Sequence, residues 1–178
     1  MGEFRTAVAE FFRDRYSVEN GALDLGGGQV HSPPLMWVEA LDLLLANLRD
    51  NGHDLARLRA IGGSGQQHGT VYLNQTAGPA LARLDPSRSL ADQLAGVFSR
   101  PTSPIWMDTS TTAECRQIEA AVGGRLPLLK LTGNTAFERF SGPQIRKFSQ
   151  SDPEGYSRTD NIGLVSSFVA SLLAGRLA

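Results

Sequence analysis

The chain's densest group of chemistry-bearing residues is the run Gly62-Gly63-Ser64-Gly65-Gln66-Gln67-His68-Gly69-Thr70. Glycines flank Gln66, Gln67 and His68 on both sides, and residues without a Cβ let a backbone approach a ligand closely. Two side-chain amides and an imidazole supply neutral, directional donors and acceptors. That set suits the hydroxyls of a ketose or polyol. The same composition also describes a surface turn with a polar tip. A phosphate-cradling loop would end in Gly-Lys-Ser/Thr, which this run lacks. A serine nucleophile on a Gly-x-Ser-x-Gly elbow is also missing, because Gln66 stands where the last glycine would be. His31 and His53 are the only other histidines, and neither has the helical pairing of a metal site.

Two further positions could join this run. Trp106 and Asp108 close the apolar run that begins at Pro104. An indole can cover the C–H face of a sugar while a carboxylate binds its hydroxyls. The bland alternative is a half-buried tryptophan beside a helix-capping aspartate. Arg139 stands between Phe137 and Phe140. Its guanidinium offers a planar fork of donors to a ligand oxygen, or it extends to solvent along its aliphatic stem. Cys115 falls on an apolar helical stripe with Ile118 and Val122 and reads as core filler. A single cysteine rules out an intramolecular disulfide and a cysteine-based zinc site, and fits a cytoplasmic setting.

The elements that must hold these residues read as alternating strands and helices, an α/β class. Residues 8–12 fit an edge strand or a short helix. Asn20–Pro34, rich in glycine and proline, reads as a loop. A helix follows, with Ser32 as cap, Pro33 in the first turn, and Trp37, Leu41, Leu44, Leu45 and Leu48 on one face. Asn51-Gly52 stops it. Leu58–Ile61 reads as a buried strand ahead of the glycine run, and Val71–Leu73 as a second strand behind it. A short helix is expected around Leu90–Phe98, and a strand over Pro104–Asp108. Thr111 with Glu114, and Thr135 with Glu138, have capping-box spacing. The second of those helices must break at Gly142-Pro143, where Pro143 can open another. Thr159 or Asp160 should cap a last helix with Ile162, Val165, Val169, Leu172 and Leu173 inward and Gly175 beyond it.

With 17 basic and 18 acidic residues the net charge is −1, so no basic surplus points to nucleic acid. No apolar run approaches the ~20 residues that a membrane helix needs. One domain, or part of one, is the expectation for 178 residues.

Four blocks, in order, resemble the FGGY family of carbohydrate kinases, and most closely its xylulokinase branch. They are Pro34–Asp42 (Pro-Leu-Met-Trp-Val-Glu-Ala-Leu-Asp) and Ala60–Leu73, which contains Ser64-Gly65-Gln66-Gln67-His68-Gly69. Pro104–Arg116 follows, with Trp106-Met107-Asp108. The last is Leu131–Arg146, with Glu138-Arg139-Phe140-Ser141-Gly142. The resemblance implies a ribonuclease H-like domain of the actin-like ATPase superfamily. Residues 1–178 would form part of an N-terminal sugar-binding domain. It implies ATP-dependent phosphorylation of D-xylulose to D-xylulose 5-phosphate with Mg2+. His68 and Arg139 match ketose-binding positions of the family. Gln67 is expected to line the same pocket, and Trp106 and Asp108 belong to a conspicuous block. The family's Asp-x-(Ser/Thr)-Thr phosphate hairpin has no match before Val8. Its catalytic aspartate and its C-terminal ATP-binding domain would lie beyond residue 178. ATP and Mg2+ would therefore serve the full-length enzyme, and no motif of this chain binds them. The expectation is an inactive part with unpaired sheet edges and exposed apolar helix faces that self-associates or is marginally stable. Alternatives are a kinase for ribulose, gluconate or glycerol, or a non-catalytic sugar-binding or interaction module.

Overall fold

Residues 8–12, ambiguous in sequence, lie inside a helix, α1 (Gly2–Tyr16). The computed structural model describes residues 2–178, with side chains from Val8 onward. Phe12 of α1 is buried and packs with Val18 and Met36 in a small second core.

The glycine-rich stretch after α1 folds as a hairpin, not as the expected loop. Strand β1 (Leu23–Gly26) pairs antiparallel with β2 (Gln29–Ser32), His31 facing Leu23 and Val30 facing Asp24. Gly26, Gly27 and Gly28 all have positive φ, which only glycine adopts without steric cost, so the glycines that suggested a loop form the turn. Strand β2 also pairs with the two-residue β4 (Ser103–Pro104). The expected strand over Pro104–Asp108 is thus shorter and earlier, and Trp106 and Met107 form a turn.

Helix α2 (Pro34–Asp50) starts one residue later than expected. Pro33 occupies the cap position, and Ser32 Oγ instead donates to the Gly21 carbonyl at 2.6 Å. Its buried residues are Pro34, Met36 and Val38, while Leu44 is exposed. The expected single stripe fails because α2 lies between two cores. Val38, with Trp37 and Leu41 beside it, faces the main one, and Met36 faces the smaller one. Asn51 and Gly52 end the helix as expected.

The main core forms around β3 (Thr70–Asn74) and β5 (Thr159–Leu164), an antiparallel pair with Val71 opposite Gly163 and Tyr72 opposite Ile162. Val71 and Leu73 pack with Leu81 of α3 (Ala77–Leu81) and Leu94 of α4 (Leu90–Leu94). Phe168 and Leu172 of α9 (Val165–Ala174) close the cluster. Ser89 caps α4 through the Asp92 N–H. Thr159 and Asp160 do not cap α9, because pairing with β3 draws residues 159–164 into a strand. Val165, Phe168, Ser171 and Leu172 are the buried residues of α9, and Gly175, with φ 64°, ends it.

Leu58–Ile61 is not a buried strand. It is irregular, and Leu58 and Ile61 are 50% and 56% exposed. A short apolar run does not by itself specify a ladder partner. Both capping boxes also fail. Thr111 precedes α5 (Thr112–Ala121), but its hydroxyl donates across to the Glu138 carbonyl at 2.6 Å. Residues 135–140 form turns rather than a helix, and α7 (Ser141–Ser151) opens with Pro143 in its first turn. Sequence reading missed α6 (Arg125–Thr132) and α8 (Pro153–Ser157). Cys115 is free and buried, as its stripe implied, and burial pushes its thiol above the usual range. No helix among the described residues is long and apolar enough to cross a membrane.

Candidate functional site

The glycines of the 62–70 run are explained by what they rest on. A Cβ at Gly63 would meet Val169 Cγ1 at 2.7 Å, and one at Gly65 would meet the Ser166 nitrogen at 2.8 Å. One at Gly69 would meet Val165 Cγ2 at 2.6 Å. The run therefore lies directly on the first turns of α9, and only glycine permits that approach. The expected strand ahead of it is replaced by this seating. Behind it, Thr70 Oγ1 and Ser141 Oγ share a hydrogen bond of 3.1 Å, linking the run to the start of α7.

His68 has φ of 67°, a left-handed conformation rare for residues with a side chain. Its imidazole stacks on Phe140, ring centroids 4.8 Å apart. Arg139, next to Phe140, lays its guanidinium over the Phe137 ring at 4.8 Å. The Arg139 Nε is buried and has no hydrogen-bond partner among the described residues. Trp106 is half-exposed, and its backbone N–H donates to Gln66 Oε1 at 3.4 Å. Gln66, Gln67, His68, Trp106 and Arg139 together line a cleft of about 400 Å³. Four of the five expected site residues thus converge from three separate segments.

Asp108 is the exception. It is fully buried and lies outside the cleft lining. Its Oδ1 accepts from Ser110 N (2.9 Å), Ser110 Oγ (2.6 Å) and Gln144 Nε2 (2.7 Å). Its Oδ2 accepts from Val30 N at 3.0 Å and lies 3.5 Å from His31 Nε2. Burial alone would raise its pKa, but these hydrogen bonds outweigh burial and hold the carboxyl below its ordinary value. His31 moves further. Burial, assisted by Arg100 and Lys147, lowers it to about 4 despite the neighbouring Asp108.

Sequence reading counted both amides as hydrogen-bonding groups but, through the family resemblance, named only Gln67 as a residue of the pocket. Adjacent amides cannot be ranked from spacing, and Gln66 gains its place through the long-range contact with Trp106. Gln144 escaped notice altogether, since a lone glutamine on a helix carries no signal of burial.

A larger groove, of about 630 Å³, runs between α2, residues 84–90 and α9. Leucines form much of its wall, and none of the expected site residues reaches it. The chemistry therefore belongs to the smaller cleft. Two amides, an imidazole, a guanidinium and an indole can bind and orient a polyhydroxylated molecule. The lining offers no carboxylate. Among the described residues no group of three or more His, Cys, Asp or Glu could hold a metal ion. Residues that would fit ATP with Mg2+ are not gathered here.

No protein-family model matches the chain. Individual relatives do. It is 53% identical over 151 residues to xylulose kinase 2 of Arabidopsis thaliana. It is 51% identical over 158 residues to the xylulose kinase of Rattus norvegicus. Over most of its length the chain is similar to part of these xylulose kinases. Each match covers 85% of this chain but only 27% and 30% of the respective relative. The chain thus spans under a third of the length of the xylulose kinases it matches. Its fold is also that of solved sugar kinases. A xyloylose kinase from Brucella ovis superposes with a TM-score of 0.63 at 18% identity, over 84% of this chain and 26% of that one. The xylulose kinase from Rhodospirillum rubrum gives 0.63 at 16% identity, with the same coverage.

Proposed function

We propose that the Gln66–His68, Trp106 and Arg139 cleft is the ketose-facing wall of an ATP-dependent carbohydrate kinase, with D-xylulose as the substrate. The carrying observation is the convergence of these residues on one cleft in which the Arg139 Nε has no partner among the described residues. A buried donor without an acceptor costs about 1–3 kcal/mol, which a ligand oxygen would recover. The relatives named xylulose kinase point to the sugar. In this reading residues 1–178 are part of an N-terminal sugar-binding domain of ribonuclease H-like type, in a cytoplasmic enzyme. His68 and Gln67 bind ketose hydroxyls, Trp106 covers a C–H face, and Arg139 donates its fork to an oxygen. ATP and Mg2+ act in the full-length enzyme on groups outside this cleft. In this reading the general base and the groups that hold the phosphates and the metal belong to the rest of the full-length enzyme.

Two measurements on the 178-residue chain test this reading. An NMR titration with D-xylulose should give saturable shifts at His68 and Arg139, which D-ribulose, D-gluconate and glycerol match only weakly. Stronger binding of gluconate would overturn D-xylulose in favour of an acid sugar paired with Arg139. A coupled ADP-release assay on the same chain should show no turnover with D-xylulose. Measurable turnover would sink the assignment of catalysis to groups elsewhere.

A further inference from the structure

Trp106 and Arg139 both line the cleft but belong to segments 33 residues apart in sequence. A buried hydrogen-bond network joins those segments. The Gln144 side-chain amide has two hydrogens on Nε2, and both are used. One bond goes to Asp108 Oδ1 at 2.7 Å and the other to the Glu138 carbonyl at 3.0 Å. The Glu138 carbonyl also accepts from Thr111 Oγ1 at 2.6 Å. Asp108 lies two residues after Trp106, and Glu138 immediately precedes Arg139. One buried amide therefore joins the two segments that carry Trp106 and Arg139.

The burial of the group makes the link strict. Asp108 and Thr111 are fully buried, and Gln144 is only 3% exposed. Asp108 Oδ1 accepts three hydrogen bonds and Oδ2 accepts one from Val30, with His31 Nε2 3.5 Å from Oδ2, and the fully buried carboxylate lies outside the cleft lining. Breaking one bond of such a network strands a polar group away from water, so the turns have no cheap alternative arrangement.

We propose that Asp108 is a positioning residue: acting through Gln144 and the Glu138 carbonyl, it sets the Trp106–Arg139 span of the sugar cleft without touching the sugar. The proposal rests on the sugar-binding reading of that cleft. Asp108→Asn turns an N–H2 towards either the Val30 N–H or the Gln144 amide. Gln144→Met keeps the length of the side chain and removes both donors.

The test is a double-mutant cycle on the 178-residue chain, read as the dissociation constant for D-xylulose. Each substitution should weaken binding on the order of tenfold, as expected when supports of a site shift by a fraction of an ångström. The double variant should be no weaker than either single one, since both cut the same link. Multiplying losses would overturn the proposal and make Asp108 an independent ligand. A second readout does not need the sugar. The Trp106 indole and Arg139 Nε–H resonances should both move in Gln144→Met, with the helical circular dichroism unchanged. Stationary resonances would overturn the positioning role even if Asp108→Asn failed to fold. If D-xylulose gave no saturable shift on the parent chain, the sugar reading would fall, and the two resonances would still decide whether Asp108 and Gln144 set the span.

Discussion

The His68 imidazole lies on the Phe140 ring with their planes 30° apart, so two of the segments that form the cleft meet through an aromatic contact. Phe140 immediately follows Arg139 in sequence, and one short stretch therefore supports His68 and supplies the cleft's guanidinium.

Phe140→Leu should weaken D-xylulose binding about threefold to tenfold, the scale of one aromatic contact. His68→Gly separates strain from function. Glycine accepts the left-handed backbone that histidine holds at φ 67°, so stability should stay within about 1 kcal/mol of the parent. Sugar binding should be lost. Chemical denaturation and an NMR titration on each variant check both statements. A His68→Gly chain that binds as before would remove His68 from the site.

The glycines of the run divide by their surroundings. Gly65→Ala would drive a Cβ to 2.8 Å from the Ser166 nitrogen and 2.9 Å from Val165 Cγ1. Those neighbours are backbone and a branched side chain at the start of α9, so the loop must lift. A loss of about 1–3 kcal/mol in stability, with much weaker sugar binding, is expected. Gly62→Ala meets nothing within 4 Å and should leave both unchanged. Equal effects at the two positions would contradict the seating of the run on α9.

How much of this was legible in sequence depended on whether the deciding contact was local. The four aligned blocks named the cleft residues His68, Gln67, Trp106 and Arg139 before any geometry was available. Helix stops at Asn51-Gly52 and Gly175 were readable because left-handed glycine ends are local chemistry. Thr111 failed as a capping-box residue because its hydroxyl reaches 27 residues away to Glu138. The Asn20–Pro34 stretch failed because three glycines that form a hairpin turn look like those of a loop. Asp108 was read as facing the ligand, and its occupied carboxylate gives it a structural place instead. Its partners Val30, His31 and Gln144 lie 36 or more residues away.

Exposed apolar side chains outside the cleft predict association between copies. On α6, Leu126 and Leu131 are 61% and 72% exposed, and Ile61 adds a third at 56%. Among the described residues β5 pairs only with β3, so its other edge is open. Sedimentation velocity should show species larger than the monomer that grow with concentration. Leu131→Lys combined with Ile61→Lys should shift the distribution towards monomer. A strictly monomeric parent at high concentration would count against this expectation.

The buried His31–Asp108 pair gives stability a pH dependence whose sign can be worked out. His31 titrates near 4 in the folded chain against 6.5 when free, because burial, Arg100 and Lys147 disfavour its charged form. Above pH 6.5 the group is neutral in both states, and its contribution is fully present. As pH falls from 6.5 towards 4 the unfolded chain takes up a proton that the folded chain refuses, and stability drops. The loss is at most about 3 kcal/mol over that window, by proton linkage. Asp108 acts lower on the scale. Its depressed carboxyl contributes above its ordinary value, and that contribution disappears as pH falls through the folded value. His31→Gln should therefore flatten the stability curve between pH 6.5 and 4, while the fall at lower pH remains. Urea unfolding at half-unit pH steps reads both windows. An unchanged slope between 6.5 and 4 would show that His31 is not the group that refuses the proton.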